Sequence, residues 1–173
     1  GKKNPNALAI ILATEFYDDL NYKPLNYASR DSEVIRKYFK QTFGLSDFQL
    51  MPSKTWQMEG GPTGNDLINI FDPFQGDLRK RIITAEKYSS IEEVDIYLYY
   101  RGYGEWINGN PFLLPKDVKA NRNVSKYSLE DLLENISTLC VLKNIKSVTV
   151  FLDITYINPE SSKDKIWNFN SLS

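Results

Sequence analysis

Four short apolar runs constrain this chain more than any other feature: Ala7 to Ala13 (ALAIILA), Phe48 to Met51, Ile96 to Tyr100 (IYLYY) and Val148 to Leu152 (VTVFL). Their β-branched and aromatic content, closed by turn residues or charges, reads as strands buried on both faces, as in a parallel sheet. Helical patterns lie between them. The first spans about Asp31 to Phe43, with Val34, Ile35, Tyr38 and Phe39 on one stripe and Gly44 as its stop. The second follows Asp72-Pro73, where Asp caps and Pro takes the first turn, and carries Leu78, Ile82 and Ile83. A third begins at Ser128, whose hydroxyl caps the amide of Asp131, and continues through Leu129, Leu132, Leu133, Ile136 and Cys140. Such alternation predicts an α/β fold with right-handed crossovers and a mostly parallel sheet.

With 173 residues, 42% hydrophobic and 25% charged, the chain has the make-up of one ordinary globular domain. The domain is expected over about residues 1–160, with 161–173 as a tail. Asn108-Gly109 is a strong hairpin signal, so a small β-ribbon should project after the third strand. The segment Gln57 to Gly64, with Gly60-Gly61-Pro62, reads as a mobile loop.

The chain contains no histidine and a single cysteine, Cys140. Ser-His-Asp and Cys-His mechanisms are thereby excluded, as is any zinc site that needs an imidazole. Cys140 sits on an apolar helical stripe and reads as a small buried hydrophobe. No cofactor is expected. A net charge of -1 gives no drive toward nucleic acid or anionic lipid, and Arg79-Lys80-Arg81 reads as a solvated helix face. No run approaches membrane-spanning length, no signal-peptide pattern is visible, and a lone cysteine fits a reducing, cytoplasmic setting. Ala13-Thr14-Glu15-Phe16-Tyr17 offers no phosphate-binding nest, which disfavours nucleotides. The strand-period spacing of Tyr97, Tyr99, Tyr100 and Trp106 indicates core packing rather than base stacking.

In open parallel sheets functional groups gather beyond the carboxyl ends of the strands, which here read Tyr100-Arg101-Gly102-Tyr103-Gly104 and Leu152-Asp153-Ile154-Thr155. The stretch Tyr99 to Gly104, the Asn108-Gly109 turn and Leu113-Leu114-Pro115-Lys116-Asp117 together resemble the "YYSGHG … NG … LLPxD" signature of caspase-like peptidases, especially the metacaspase and orthocaspase branch. Val148 to Thr155 is similar to that family's "VVFLDAC" strand, and Ser128 to Leu133 to its next helix. Ala7 to Leu12 and Leu25 to Asp31 resemble its first strand and helix entry. The resemblance implies a three-layer fold with central strand order 2-1-3-4, in a domain like the large subunit of such peptidases. It also implies binding residues: Asp31 and Asp153 as the acidic walls of the primary specificity pocket, with Gly102 and Gly104 beside them.

By the same resemblance, Tyr103 stands at the catalytic histidine and Thr155 at the catalytic cysteine. A phenol with pKa about 10 is a poor base at neutral pH, and an internal threonine lacks the amine that such nucleophiles borrow. The chain therefore reads as a non-catalytic pseudo-caspase that acts as a protein-interaction or regulatory module. The alternative is a residual hydrolase of basic peptides using Thr155 or a group from a partner subunit. Arg101 replaces the small serine of the motif, and its guanidinium is expected to pair with Asp31 or Asp153, plugging the pocket in cis. The competing expectation has Arg101 pointing elsewhere and Asp31 merely capping its helix. Only about eighteen residues follow Thr155, so the last strand is expected as an open edge. Its cover would be the tail's Ile166, Trp167, Phe169 and Leu172, a second copy, a partner strand, or missing small-subunit strands. The expected partners are a protein such as an active caspase-like relative, or a second copy joined through the sheet edge.

Overall fold

The computed structural model describes residues 3–52, 59–89, 93–120, 122 and 125–157. Its elements are β1 (Ala7–Ala13), α1 (Ala28–Tyr38), β2 (Leu50–Met51), α2 (Gly64–Phe71), α3 (Asp77–Ser89), β3 (Val94–Ile107), β4 (Asn110–Leu114), β5 (Tyr127–Ser128), α4 (Leu129–Leu142) and β6 (Ile145–Tyr156). The four predicted strands pair in parallel in the order β2-β1-β3-β6. The sheet as a whole is mixed, because β4 and β5 add antiparallel strands. Tyr103 and Gly104 pair with β6 on one edge and with β4 on the other, so β4 continues the line of β1 beyond its end.

Alternation along the strands sorts residues onto two faces. Leu8, Ile10 and Leu12 join Ile96, Leu98 and Tyr100 in a core roofed by α2, α3 and α4. Ala7, Ala9 and Ile11 share the other face with Tyr97 and Tyr99, where Phe39 and Phe43 from the end of α1 pack. The two alanines leave room for those rings: Phe43 stacks on Tyr97 at 5.4 Å and Phe39 lies 5.2 Å from it. Opposite helix placement follows from chain direction. A right-handed crossover from β1 to β2 moves one way across the sheet, while β2 to β3 and β3 to β6 move the other, so their helices must take the opposite face.

Several local expectations are corrected. Of Phe48 to Met51 only Leu50–Met51 is strand, because Ser46 and Gln49 form a capping box that winds Asp47–Gln49 into a 3-10 turn. The Gln49 amide then donates to the carbonyls of Pro5 and Ala7, doing by side chain what a longer strand would do by backbone. α1 begins earlier than Asp31, and its chain widens into a π-helical turn over Phe39–Phe43 before Gly44, at φ 73°, stops it. Val34 and Tyr38 are about half exposed; the inward stripe is Ile35 and Phe39. Asp72 does not cap the following helix. It ends α2, and its carboxylate accepts the amides of Phe74 and Gln75, so that α3 starts only at Asp77. α2 itself, opened by a Thr63/Asp66 capping box, was hidden behind the glycine-rich segment. Gln57 and Met58 lie outside the described residues; Gly60 is tied down, its carbonyl accepting the amides of Glu15 and Phe16. The Asn108-Gly109 hairpin forms as expected, with both residues at positive φ (51° and 82°) as a two-residue turn requires.

Core position separates tolerated from damaging substitutions. Ile82, fully buried between α3 and the sheet, is expected to cost about 2–5 kcal/mol on replacement by Ala, whereas Leu20→Ala, at 96% exposure, should stay within about 0.5 kcal/mol. Urea denaturation of the two variants measures both.

Candidate functional site

The parallel register of β3 and β6 sets Arg101 beside Asp153 and Tyr103 beside Thr155. Paired residues in such a ladder share a face, so all four project on the α1 side of the sheet. They do not lie beyond strand ends, as the short apolar runs suggested. β3 runs to Ile107 and β6 to Tyr156, because the β3–β4 hairpin and the β6 ladder carry pairing past Tyr100 and Leu152.

Asp31 reaches the same place from the first turn of α1. The Arg101 guanidinium lies between both carboxylates: its Nε is 3.2 Å from Asp31 Oδ2, and its Nη1 donates to Asp153 Oδ2. The Asp31 contact is an ion pair without good hydrogen-bond geometry, since Nε finds no aligned acceptor. Burial works against the charged guanidinium, but the Asp153 hydrogen bond and the charges of Asp153 and Asp31 outweigh it and hold the pKa of Arg101 above its ordinary value. Of the two expectations for Arg101, the pairing one describes its contacts, and it pairs with both acids rather than one. Below the clasp, burial and then the Asp153 charge push up the pKa of Tyr99.

Tyr103 is held in an aromatic cluster. Its ring lies 5.2 Å from Tyr17 and 6.4 Å from Tyr22, over a floor that includes Leu114 and Val118. Its backbone amide donates to the Tyr17 hydroxyl at 2.9 Å. Burial raises the pKa of Tyr17 far above the ordinary phenol value, so this hydroxyl stays neutral. Thr155 is exposed, and among the described residues no hydrogen bond joins its hydroxyl to Tyr103. Gly102 and Gly104 face the opposite side. A Cβ on Gly102 would stand 2.7 Å from the Tyr100 hydroxyl and one on Gly104 would stand 2.5 Å from Ile154 Cγ2, so both serve close packing.

The tyrosine pair Tyr17 and Tyr22 escaped the sequence reading, because nothing in the loop after β1 advertises its partner on β3. Asp19 clips that loop down: its carboxylate accepts the amides of Ala120 and Asn21, which hold its pKa below the ordinary value. Glu15 accepts the amide of Ser29 at 2.8 Å, so α1's first turn is closed by the chain's own carboxylate. On the far flank of α1 a cleft of about 570 Å³ opens between Phe16, Ser32, Glu33 and Lys116. Among the described residues no group of three or more His, Cys, Asp or Glu could hold a metal ion, and no helix is long and apolar enough to cross a membrane. No family model matches the chain, and no curated protein matches it either.

Two outcomes follow from this geometry. The clasp is partly open to solvent, so Arg101→Ala should destabilise by only about 1 kcal/mol, a loss that shrinks in high salt; equilibrium unfolding at low and high ionic strength reads it. Asp19 has a depressed folded pKa, so its contribution is present above the unfolded value of about 4 and is lost as pH falls through the folded one. Acidification below about pH 4 should therefore lower the protection of the Ala120 amide relative to its intrinsic exchange rate, and Asp19→Asn should remove that acid dependence.

Proposed function

We infer that this chain is a caspase-like domain without peptidase activity, acting in the cytoplasm as a protein-interaction or regulatory module. What carries the reading is one juxtaposition: Tyr103 and Thr155 are register partners on one sheet face, beside the clasp of Arg101 with Asp31 and Asp153. A phenol and a secondary alcohol stand where the resemblance calls for imidazole and thiol. Loss of a nucleophile and its base together removes about 10⁶-fold in rate. The pocket reading agrees, since a guanidinium already pairs with the two acids that would receive a basic substrate side chain. Such a cleft keeps the outline of a peptidase while refusing its substrate, which suits the binding of a protein partner such as an active relative.

Fluorogenic Arg and Lys peptides test this with four proteins: wild type, Thr155→Ala, Tyr103→His/Thr155→Cys, and the same double variant with Arg101→Ser. Wild type should show no turnover, with activity, where it returns, confined to the two dyad-restored variants and greatest when Arg101 is removed. Wild-type turnover that disappears in Thr155→Ala overturns the reading in favour of a hydrolase that uses Thr155.

A further inference from the structure

The cleft on the far flank of α1 has no part in the clasp. At about 100° per residue, Ser29, Ser32 and Glu33 line it from one side of the helix, whereas Asp31 leaves the opposite side to meet Arg101. It opens beyond the carboxyl ends of β1 and β2, with Ala13 and Pro52 in its wall where the two strands give out. β1 is also where the strand order reverses, since β2 adds to one of its edges and β3 to the other. Ligands of open α/β sheets collect at such a switch point.

Three carboxylates line the cleft, Asp18, Glu33 and Glu59, and Glu15 stands at its margin on the Ser29 amide. Two cations answer them. Lys116 donates its ammonium to the Glu59 carbonyl at 3.2 Å, and Arg36, one turn past Ser32 and buried, donates to the carbonyl of Pro52. Both are spent on main-chain carbonyls of the cleft wall, and among the described residues no ion pair engages Asp18, Glu33 or Glu59. Four acids against two cations leave a surplus of two negative charges.

These acids stand apart from one another. No three of the described His, Cys, Asp and Glu side chains lie close enough together to hold a metal ion, so a compact dication meets them only one at a time. Between them the wall is apolar, with Ile11, Pro52 and the ring of Phe16, which is 55% exposed. A ring so placed takes an alkyl chain or a cation on its face.

We propose that this cleft binds a linear polyamine, an alkyl chain that carries several ammonium groups. Spaced ammonium groups reach separated carboxylates, while the methylenes between them lie along Phe16 and Pro52. The Lys116 ammonium on the Glu59 carbonyl is the chain's own instance of that contact. An anion would meet the surplus of acids and is rejected. The site lies across α1 from the clasp, so it does not depend on what the face bearing Tyr103 and Thr155 binds.

Calorimetric titration of the full chain with spermidine at low salt should show saturable binding that weakens as ionic strength rises. Glu33→Gln, Glu59→Gln and Phe16→Ala should each weaken it about threefold to fivefold. Glu130→Gln, on α4 across the sheet, should leave it unchanged. Circular dichroism of each variant verifies the fold. Absence of saturable heat, an equal loss in Glu130→Gln, or displacement of spermidine by magnesium chloride at matched ionic strength overturns the proposal. Tighter binding of a blocked trilysine peptide than of spermidine, which carries the same charge, also overturns it and makes the occupant a basic peptide.

Discussion

The pairing of β3 along both of its edges is the constraint on which the remaining structure rests. Arg101 is held in register with Ala13 on one side and Asp153 on the other, and that double ladder sets which side chains face the helices. A slip of one residue would drive Arg101 into the core in place of Tyr100 and carry Gly102 to the carboxylates. The core, the clasp and the tyrosine cluster are thus three consequences of a single register. The alternating burial of β3 over its entire length, from Val94 to Ile107, is the record of that register in the side chains.

The apolar runs were legible because β1 is buried on both faces and the middle of β3 is buried on one and half-buried under aromatic rings on the other, so nearly every residue there is apolar or aromatic. The ends of β3 and β6 were not, since Arg101, Tyr103, Asp153 and Thr155 project on the α1 side where cover is only partial, and strand residues there need not be hydrophobic. Glycine signals misled in one place. Gly60-Gly61 suggested a free loop, yet the Gly60 carbonyl is an acceptor for the segment after β1, and α2 begins right behind it. Asp31 and Asp153 were legible as a pair only through the motif resemblance; their meeting depends on α1 crossing the sheet at a height that spacing alone does not encode.

Arg101 and Tyr103 are held by different forces. Arg101 is held by charge in a half-open setting, where pairs of this kind contribute little to stability but fix geometry. Tyr103 is held by packing against Tyr17 and Tyr22, with its own amide engaged by the Tyr17 hydroxyl. Charge fixes the geometry of the clasp, while packing in the aromatic cluster keeps the strand end in shape.

That division decides what position 103 would tolerate. A histidine at position 103 would be smaller than the phenol that now meets two tyrosine rings, leaving a gap over Leu114 and Val118. Protonated, it would also place a charge among rings whose hydroxyls burial keeps neutral. Position 103 is therefore shaped around an aromatic filler. Thr155, exposed and unattached to Tyr103, is under no such packing demand, so position 155 is open to change while position 103 is locked by its neighbours.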